Sequence, residues 1–206
     1  ALDRKVKLMN DANCFTLSEA VDGAGKDYQS IFGIIIGTGF GGALSYKKEI
    51  IEGSNQIAGD WGHQPLPYPT KEEQETMIDC PSMNCGRPLC AEQFMSGIGF
   101  KDRFNQKYNT DFSSEEIVQL DFDKDPRANL ELSLYEDRMA RLMAVMIGIF
   151  DPDAIILGGG MSNIDRFYIN IPSIIPKYTF SNKVKTKVLK NIHGDSSGVR
   201  GAAWLW

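Results

Sequence analysis

Two short apolar runs, each ending in a cluster of glycines, limit most strongly what this chain can fold into. Residues 31–36 read IFGIII and residues 154–157 read AIIL. The first run is followed by Gly37, Thr38, Gly39, Phe40, Gly41 and Gly42, and the second by Gly158, Gly159 and Gly160. Apolar runs of this length between turn signals predict buried strands. Helical patterns separate them, which predicts an α/β fold with a mixed or parallel sheet.

The other predicted elements continue this alternation. Residues 12–20 and 128–150 have helical patterns, and Ser113 to Glu116 resembles a capping box that opens a further helix. Lys47 and Lys48 lie at the turn of a predicted hairpin, and residues 53–70 read as a loop. Shorter predicted elements are strands over 5–9 and 184–189 and an amphipathic segment over 164–178.

Composition and charge exclude several function classes. The chain has 206 residues, of which 42% are hydrophobic and 24% charged, as in an ordinary globular protein. No apolar run approaches the roughly 18 residues of a membrane span, and the start lacks a secretion signal. The expected location is therefore cytoplasmic, without a membrane partner. A net charge of -5 and the lack of a long Lys/Arg cluster disfavour nucleic acid as a partner.

The glycine clusters are candidates for a nucleotide site. Glycines after a strand let the backbone approach a ligand closely and turn N–H groups toward phosphate oxygens. Neither cluster is a P-loop, because the Lys-Ser/Thr ending is absent, and GTGFGG is not a clean dinucleotide fingerprint. Tight structural turns are the alternative, and the residues alone leave both interpretations open.

A second candidate is a metal site formed by His63, Cys80, Cys85 and Cys90. One imidazole and three thiolates match a closed, tetrahedral structural zinc site. Reduced cysteines beside a loop histidine are the alternative, but three cysteines within residues 80–90, in a stretch poor in core-forming residues, favour zinc. Cys14 lies far away in the sequence and is predicted to be a small core residue.

The pair Asn10-Asp11 is a third candidate. A carboxylate where a strand meets a helix can accept a proton from a substrate hydroxyl, as a base does in phosphoryl transfer. Asn and Asp are also preferred helix N-caps. The two residues by themselves favour the cap.

These motifs occur together, in order, along essentially the whole chain, and they closely resemble the ROK family of sugar kinases and sugar-responsive repressors. The motifs that carry the resemblance are NDANC at 10–14, GTGFGG at 37–42, GDWGH at 59–63, the CG at 85–86 with Cys90 and Glu92, DPD at 151–153 and GGG at 158–160. The tail HGDSSGVRGAAWLW at 193–206, together with GGMSN at 159–163, looks like the bacterial fructokinase and mannokinase branch.

The resemblance implies an actin-like ATPase fold of ribonuclease H-like domains, with an inserted zinc-binding loop and with hexose and ATP between the domains. Asp11 then corresponds to the catalytic base. The implied hexose contacts are Asn10, Asp11, Asp60, His63 and Glu92. The implied phosphate loop is Gly37, Thr38, Gly39, Phe40, Gly41, Gly42, Ala43 and Leu44, and the implied adenosine-side turn is Gly158, Gly159 and Gly160. His63, Cys80, Cys85 and Cys90 correspond to structural zinc ligands, and Mg²⁺ accompanies ATP.

By the same resemblance, residues 1–206 form the C-terminal kinase domain, without the N-terminal phosphate-loop domain. Its parts are a sugar-site strand and helix at 1–20, a phosphate loop and hairpin at 31–60, a zinc and sugar loop at 61–95 and a helical region at 96–206. Asp60 stands where the family usually has Glu, and its shorter side chain is expected to weaken or redirect one sugar contact. Met83 and Leu89 interrupt the family's cysteine motif, so that Cys80 is the least secure zinc ligand.

The expected function is ATP-dependent phosphorylation of the 6-hydroxyl of a hexose, with D-fructose first and D-mannose second. A homodimer is expected, as in family members. The alternative within the family is the sugar-binding domain of a transcriptional repressor. A third possibility is a zinc-stabilised dimerisation domain that has no activity alone.

Overall fold

A mixed sheet forms the centre of the computed structural model, which describes residues 4–77 and 85–206. The strands are β1 (Ser30–Ile36), β2 (Phe40–Tyr46), β3 (Glu49–Ile50), β4 (Ala154–Gly158) and β5 (Lys187–Lys190). Their order is β3-β2-β1-β4-β5. β1, β4 and β5 are parallel, whereas β2 and β3 run antiparallel to their neighbours. The predicted α/β class with a mixed sheet is therefore confirmed.

Helices flank this sheet. They are α1 (Asp11–Val21), α2 (Lys71–Met77), α3 (Ala91–Met95), α4 (Gly97–Tyr108), α5 (Ser114–Phe122), α6 (Pro126–Phe150), α7 (Arg166–Ile174) and α8 (Ser197–Ala203). The capping box is present at the start of α5, where Ser113 and Glu116 cap reciprocally. Among the described residues, no helix is both long enough and apolar enough to cross a bilayer.

The two apolar runs are adjacent strands of the sheet. Both are almost completely buried, which explains their continuous apolar character. β1 and β4 pair in parallel with Ile35 opposite Gly158, so their carboxyl ends lie at the same edge of the sheet. The glycine clusters that follow the strands are therefore brought together.

Three predicted elements differ from the structure. Residues 5–9 form no strand, because nothing among the described residues pairs with them, and Leu8 is 93% exposed. The last strand begins at Lys187, three residues later than predicted, where pairing with β4 begins at Ala154. Phe40, Gly41, Gly42, Ala43 and Leu44 belong to β2, so the glycine cluster is a short turn followed by a strand.

Helix α6 supplies much of the core. Its methionines at 139, 143 and 146 are buried, which confirms that they fill core space. Tyr135 is buried as well and donates a hydrogen bond to the carbonyl of Met95 at 2.7 Å. Ile149, near the end of the helix, is 77% exposed, because it faces away from the core, against which Ile147 and Phe150 of the same turn pack.

Helices α1 and α8 cross at very short range. A Cβ atom added at Gly201 would lie 1.7 Å from the carbonyl oxygen of Cys14, so only glycine fits there. Glu19 of α1, fully buried, accepts hydrogen bonds from the Ile192 amide and the Ser197 hydroxyl. The C-terminal segment is thereby fixed to the helix that begins at Asp11.

We expect Gly201→Ala to lower the free energy of unfolding by about 2 kcal/mol or more, because the new methyl group must push the α1 backbone away. Gly198→Ala is the matched control in the same helix, since nothing lies within 4 Å of the position of its Cβ. That substitution should be neutral or should stabilise the helix by up to about 1 kcal/mol. Urea denaturation measures both, and equal midpoints for the two variants would contradict the described crossing.

Candidate active site

Two cavities lie on either side of the turn formed by residues 37–39. One has a volume of about 580 Å³ and the other about 540 Å³, and Gly37 and Thr38 line both. The turn follows β1 directly, so its position is set by the buried strand. The two cavities therefore share one stretch of backbone as part of their walls.

All five residues that the family resemblance assigns to the sugar line the larger cavity. Its wall contains the side chains of Asn10, Asp11, Asp60, His63 and Glu92. Asn13 of the NDANC motif also lines it, as do Gln56, Ile57 and Ala58, and the motifs gave no indication of these last three. Most of the polar groups are carboxylates or amides, which can hold sugar hydroxyls through paired hydrogen bonds.

Asn10 is the N-cap of α1, as its residue type suggested. Its Oδ1 accepts a hydrogen bond from the Ala12 amide at 2.8 Å and a longer one from the Asn13 amide at 3.4 Å. Asp11 is the first residue of the helix, and its carboxylate is exposed to the cavity. The positive end of the helix dipole favours a negative charge at this position.

Cys14, three residues further along α1, is buried and belongs to the core, as predicted. Burial, and then the nearby charge of Asp11, raise the pKa of the Cys14 thiol. The thiol therefore stays neutral and leaves Asp11 as the acidic group at this end of the helix.

The GDWGH motif lies directly on β2. A Cβ atom at Gly62 would be 1.8 Å from the carbonyl oxygen of Phe40, and one at Gly59, where φ is +87°, would be 2.7 Å from the Cα of Ala43. Between them, the buried Trp61 stacks on Phe40 with ring centroids 5.2 Å apart. These glycines explain how Asp60 and His63 come so close to the glycine turn.

Glu92 connects the loop that contains Gly62 to Phe40, the residue directly after the same turn. Its Oε2 accepts a hydrogen bond from the Phe40 amide at 3.3 Å. Its own amide donates to the Gly62 carbonyl at 2.8 Å, and the Ala91 amide donates to Gln64 at 2.9 Å. Residues 62–66 and 89–92 thus form a short ladder that places His63 beside Cys90.

The predicted metal ligands that the structure describes lie together. The Cys85 and Cys90 sulfurs are 3.7 Å apart, and His63 Nδ1 is 3.6 Å from the Cys90 sulfur. Tetrahedral zinc with Zn–S bonds of about 2.3 Å needs sulfurs about 3.7 Å apart, so this donor set fits a zinc ion. Cys80, the fourth predicted ligand, lies outside the described residues. Leu89, where the family has glycine, has a φ of +55°, a region that favours glycine.

The smaller cavity lies between the glycine turn, the turn after β4 and helices α4 and α5. Gly160 lines it, whereas Gly158 ends β4 and Gly159, with a φ of +79°, lies against the carbonyl of Ile36. Sequence reasoning missed its other walls: Gly97, Ile98, Lys101, Ser113, Ser114, Glu115, Val118, Met161, Asn163 and Ile164. Two signals were available: the GGMSN motif contains Met161 and Asn163, and the capping box at Ser113 marks a helix start at this cavity.

The glycine turn has amides that can bind an anion. The Gly37 amide donates to the Gly39 carbonyl at 3.0 Å, and the Gly37 carbonyl accepts from the Gly97 amide at 2.8 Å. Across the described ranges, the amides of Thr38 and Gly39 donate to no protein acceptor. Ala43 and Leu44, which the resemblance included in the phosphate loop, line neither cavity because they lie further along β2.

Comparison with known proteins gives a consistent picture. The N-acetyl-D-glucosamine kinase of Vibrio atlanticus is 37% identical over 207 residues, which cover 99% of this chain and 68% of that protein. A ROK hexokinase from Thermus thermophilus superposes with a TM-score of 0.83 at 23% identity, over 97% of this chain and 64% of that one.

A ROK family glucokinase from Streptomyces griseus, solved with glucose and AMPPNP, also has a TM-score of 0.83 at 23% identity. The match covers 99% of this chain and 69% of the glucokinase. At these identities the solved structures show the shared fold alone. The chain spans about two thirds of the length of these relatives. The ROK family profile matches residues 1–206, and the chain belongs to the ROK family.

Proposed function

We propose that the protein containing this chain is a sugar kinase, which transfers the γ-phosphoryl group of ATP to the 6-hydroxyl of a hexose. The observation that supports this most is the pair of cavities that share the turn at residues 37–39. The larger cavity has the carboxylates and amides that suit a sugar, and the smaller one suits a nucleotide. Phosphoryl transfer requires the two substrates to meet in line, and this arrangement allows it.

In this proposal Asp11 accepts the proton of the attacking hydroxyl. Asn10, Asp60, His63 and Glu92 orient the sugar, and each can bind a hydroxyl as donor or acceptor. The amides of Thr38 and Gly39 contact the transferred phosphate, with Gly160 at the adenosine side. Bound Mg²⁺ would supply charge neutralisation on the phosphates.

We expect Asp11→Asn in the full-length protein to reduce kcat by at least about 100-fold while hexose affinity changes little, because the amide keeps the shape but cannot take the proton. A coupled ADP-release assay measures kcat, and calorimetry measures hexose binding. Asp27→Asn, at an exposed position outside both cavities, is the control. Wild-type turnover in Asp11→Asn would exclude the base assignment.

For the sugar, we propose D-fructose, with D-mannose as a further substrate. The support is the resemblance of residues 193–206 and 159–163 to the fructokinase and mannokinase branch. A second candidate is N-acetyl-D-glucosamine, which is favoured by the names of the relatives at 37% identity. These sugars differ most at carbons 1 and 2, so a hydroxyl-binding site should separate them strongly.

A substrate panel separates these candidates. With ATP and the full-length protein, we expect kcat/KM for fructose to exceed that for N-acetylglucosamine by at least about 100-fold, the discrimination that unpaired buried polar groups can supply. The reverse order would assign the enzyme to the second candidate. Hexose binding without ADP release for any sugar would instead favour the repressor alternative.

We further propose that His63, Cys85 and Cys90 hold a structural zinc ion, with Cys80 as the fourth ligand. The donor distances support this, and the ion would order the ladder that carries His63 and Glu92. We also propose that the protein forms a homodimer.

Metal analysis of the purified chain should find about one zinc per chain, because a set of thiolates and an imidazole at these distances binds zinc tightly. Cys90→Ser should lose the metal, whereas Cys14→Ser should keep it because Cys14 lies on α1, outside the cluster. Less than a tenth of an equivalent in the wild type, with stability unchanged by chelator, would contradict the zinc proposal.

A further inference from the structure

A buried ion cluster that takes no part in the proposed chemistry joins α2 to α6. The side chains of Glu73, Arg138 and Arg141 are 4%, 4% and 2% exposed. Arg138 Nε donates to Glu73 Oε1 at 2.6 Å, and Arg141 donates to both oxygens of the same carboxylate at 2.8 and 3.0 Å. Two guanidinium groups therefore hold one carboxylate away from water.

Glu73 also caps its own helix. Its Oε2 accepts a hydrogen bond from the Thr70 amide at 2.8 Å, and its amide donates to Thr70 Oγ1 at 3.2 Å. Burial raises the pKa of Glu73, but hydrogen bonds from Arg141, Thr70 and Arg138 outweigh that effect and lower the pKa to about 2. The carboxylate is thus charged throughout the physiological range, and the start of α2 is fixed to α6.

Arg141 reaches beyond Glu73 to the loop before α2. It donates to the carbonyl of Pro67 at 3.1 Å and to that of Tyr68 at 2.8 Å. Leu66, the residue before this segment, is buried, and its amide donates to the Leu89 carbonyl at 2.8 Å. The ion cluster therefore contacts the chain one residue after the ladder that carries His63, Cys90 and Glu92.

We propose that Arg138 and Arg141 are positioning residues, which hold the ladder of residues 62–66 and 89–92 against the sugar cavity through Glu73 and the carbonyls of residues 67 and 68. The role in sugar binding rests on the proposed kinase function, whereas the role in ordering the ladder does not. Removing one partner of a buried ion cluster leaves an uncompensated charge. The expected result is local release of the ladder.

The test uses Arg141→Lys and Glu73→Gln. Lysine keeps the charge but cannot form the forked contacts to a carboxylate and two carbonyls. Arg166→Lys is the matched control, since Arg166 of α7 binds Glu136 at 2.6 Å and Asp121 at 2.9 Å, away from the ladder. If either test variant fails to fold, Arg138→Lys replaces it, because that variant keeps the contacts of Arg141.

Hydrogen exchange followed by NMR or mass spectrometry is the main readout. In Arg141→Lys and Glu73→Gln we expect the amides of Leu66, Ala91 and Glu92 to exchange at least tenfold faster, while those of β1 and β4 change less than twofold. In Arg166→Lys the ladder amides should keep their wild-type rates. Uniformly faster exchange in all three variants would reduce the cluster to a general stabilising element and overturn the proposal.

A second readout, the kinetics of the kinase reaction, connects the ion cluster to sugar binding. In the full-length protein we expect the hexose KM to rise at least tenfold in Glu73→Gln with kcat falling less than threefold, because the ladder positions sugar contacts and not Asp11. An unchanged KM together with faster ladder exchange would remove the sugar role. Absence of kinase activity in the wild type would refute the proposed function while leaving the exchange test intact.

Discussion

The parallel pairing of β1 with β4 is the interaction on which the rest of the structure depends. It aligns Ile35 with Gly158 and so brings two glycine turns to one edge of the sheet. Ligands of open α/β sheets bind at the carboxyl ends of the strands. The two cavities at this edge share Gly37 and Thr38, and the proposed phosphoryl transfer depends on this arrangement.

The second constraint is the close approach of backbone segments, which glycine alone permits. Gly62 lies on Phe40 and Gly201 lies on Cys14, both at distances that exclude a Cβ atom. The first contact places the loop of residues 59–63 beside the glycine turn. The second fixes α1, and therefore Asp11, against the C-terminal helix. In both contacts, a glycine that belongs to a sequence motif allows the close backbone approach that positions residues of the candidate site.

Much of the fold could be predicted from the sequence, because its strongest signals are local. The buried strands, the capping box at Ser113 and the long helix α6 each follow from periodicity or from a cap. The strand predicted at 5–9 was wrong, since alternation in five residues specifies no pairing partner. Asn10 acts as the cap that its residue type suggested, and Asp11 beside it lines the cavity.

The candidate site was predictable only in part. Motifs identified Asp60, His63 and Glu92, but Gln56 and Lys101 lack a local pattern and reach the cavities through tertiary packing. The buried cluster of Glu73, Arg138 and Arg141 was missed as well, since charged residues on a helix give no sign in the sequence that they are buried. Whether Cys80 completes the metal site remains a prediction, because that residue lies outside the described ranges.

We propose that sugar and nucleotide meet across the turn at residues 37–39, and a crystal structure of the full-length protein with a hexose and a non-hydrolysable ATP analogue is the decisive test of this proposal. In that structure we expect the Asp11 carboxylate to lie about 2.6–3.2 Å from the 6-hydroxyl, with the terminal phosphate on the amides of Thr38 and Gly39. A terminal phosphate bound elsewhere, or a 6-hydroxyl directed away from Asp11, would contradict it.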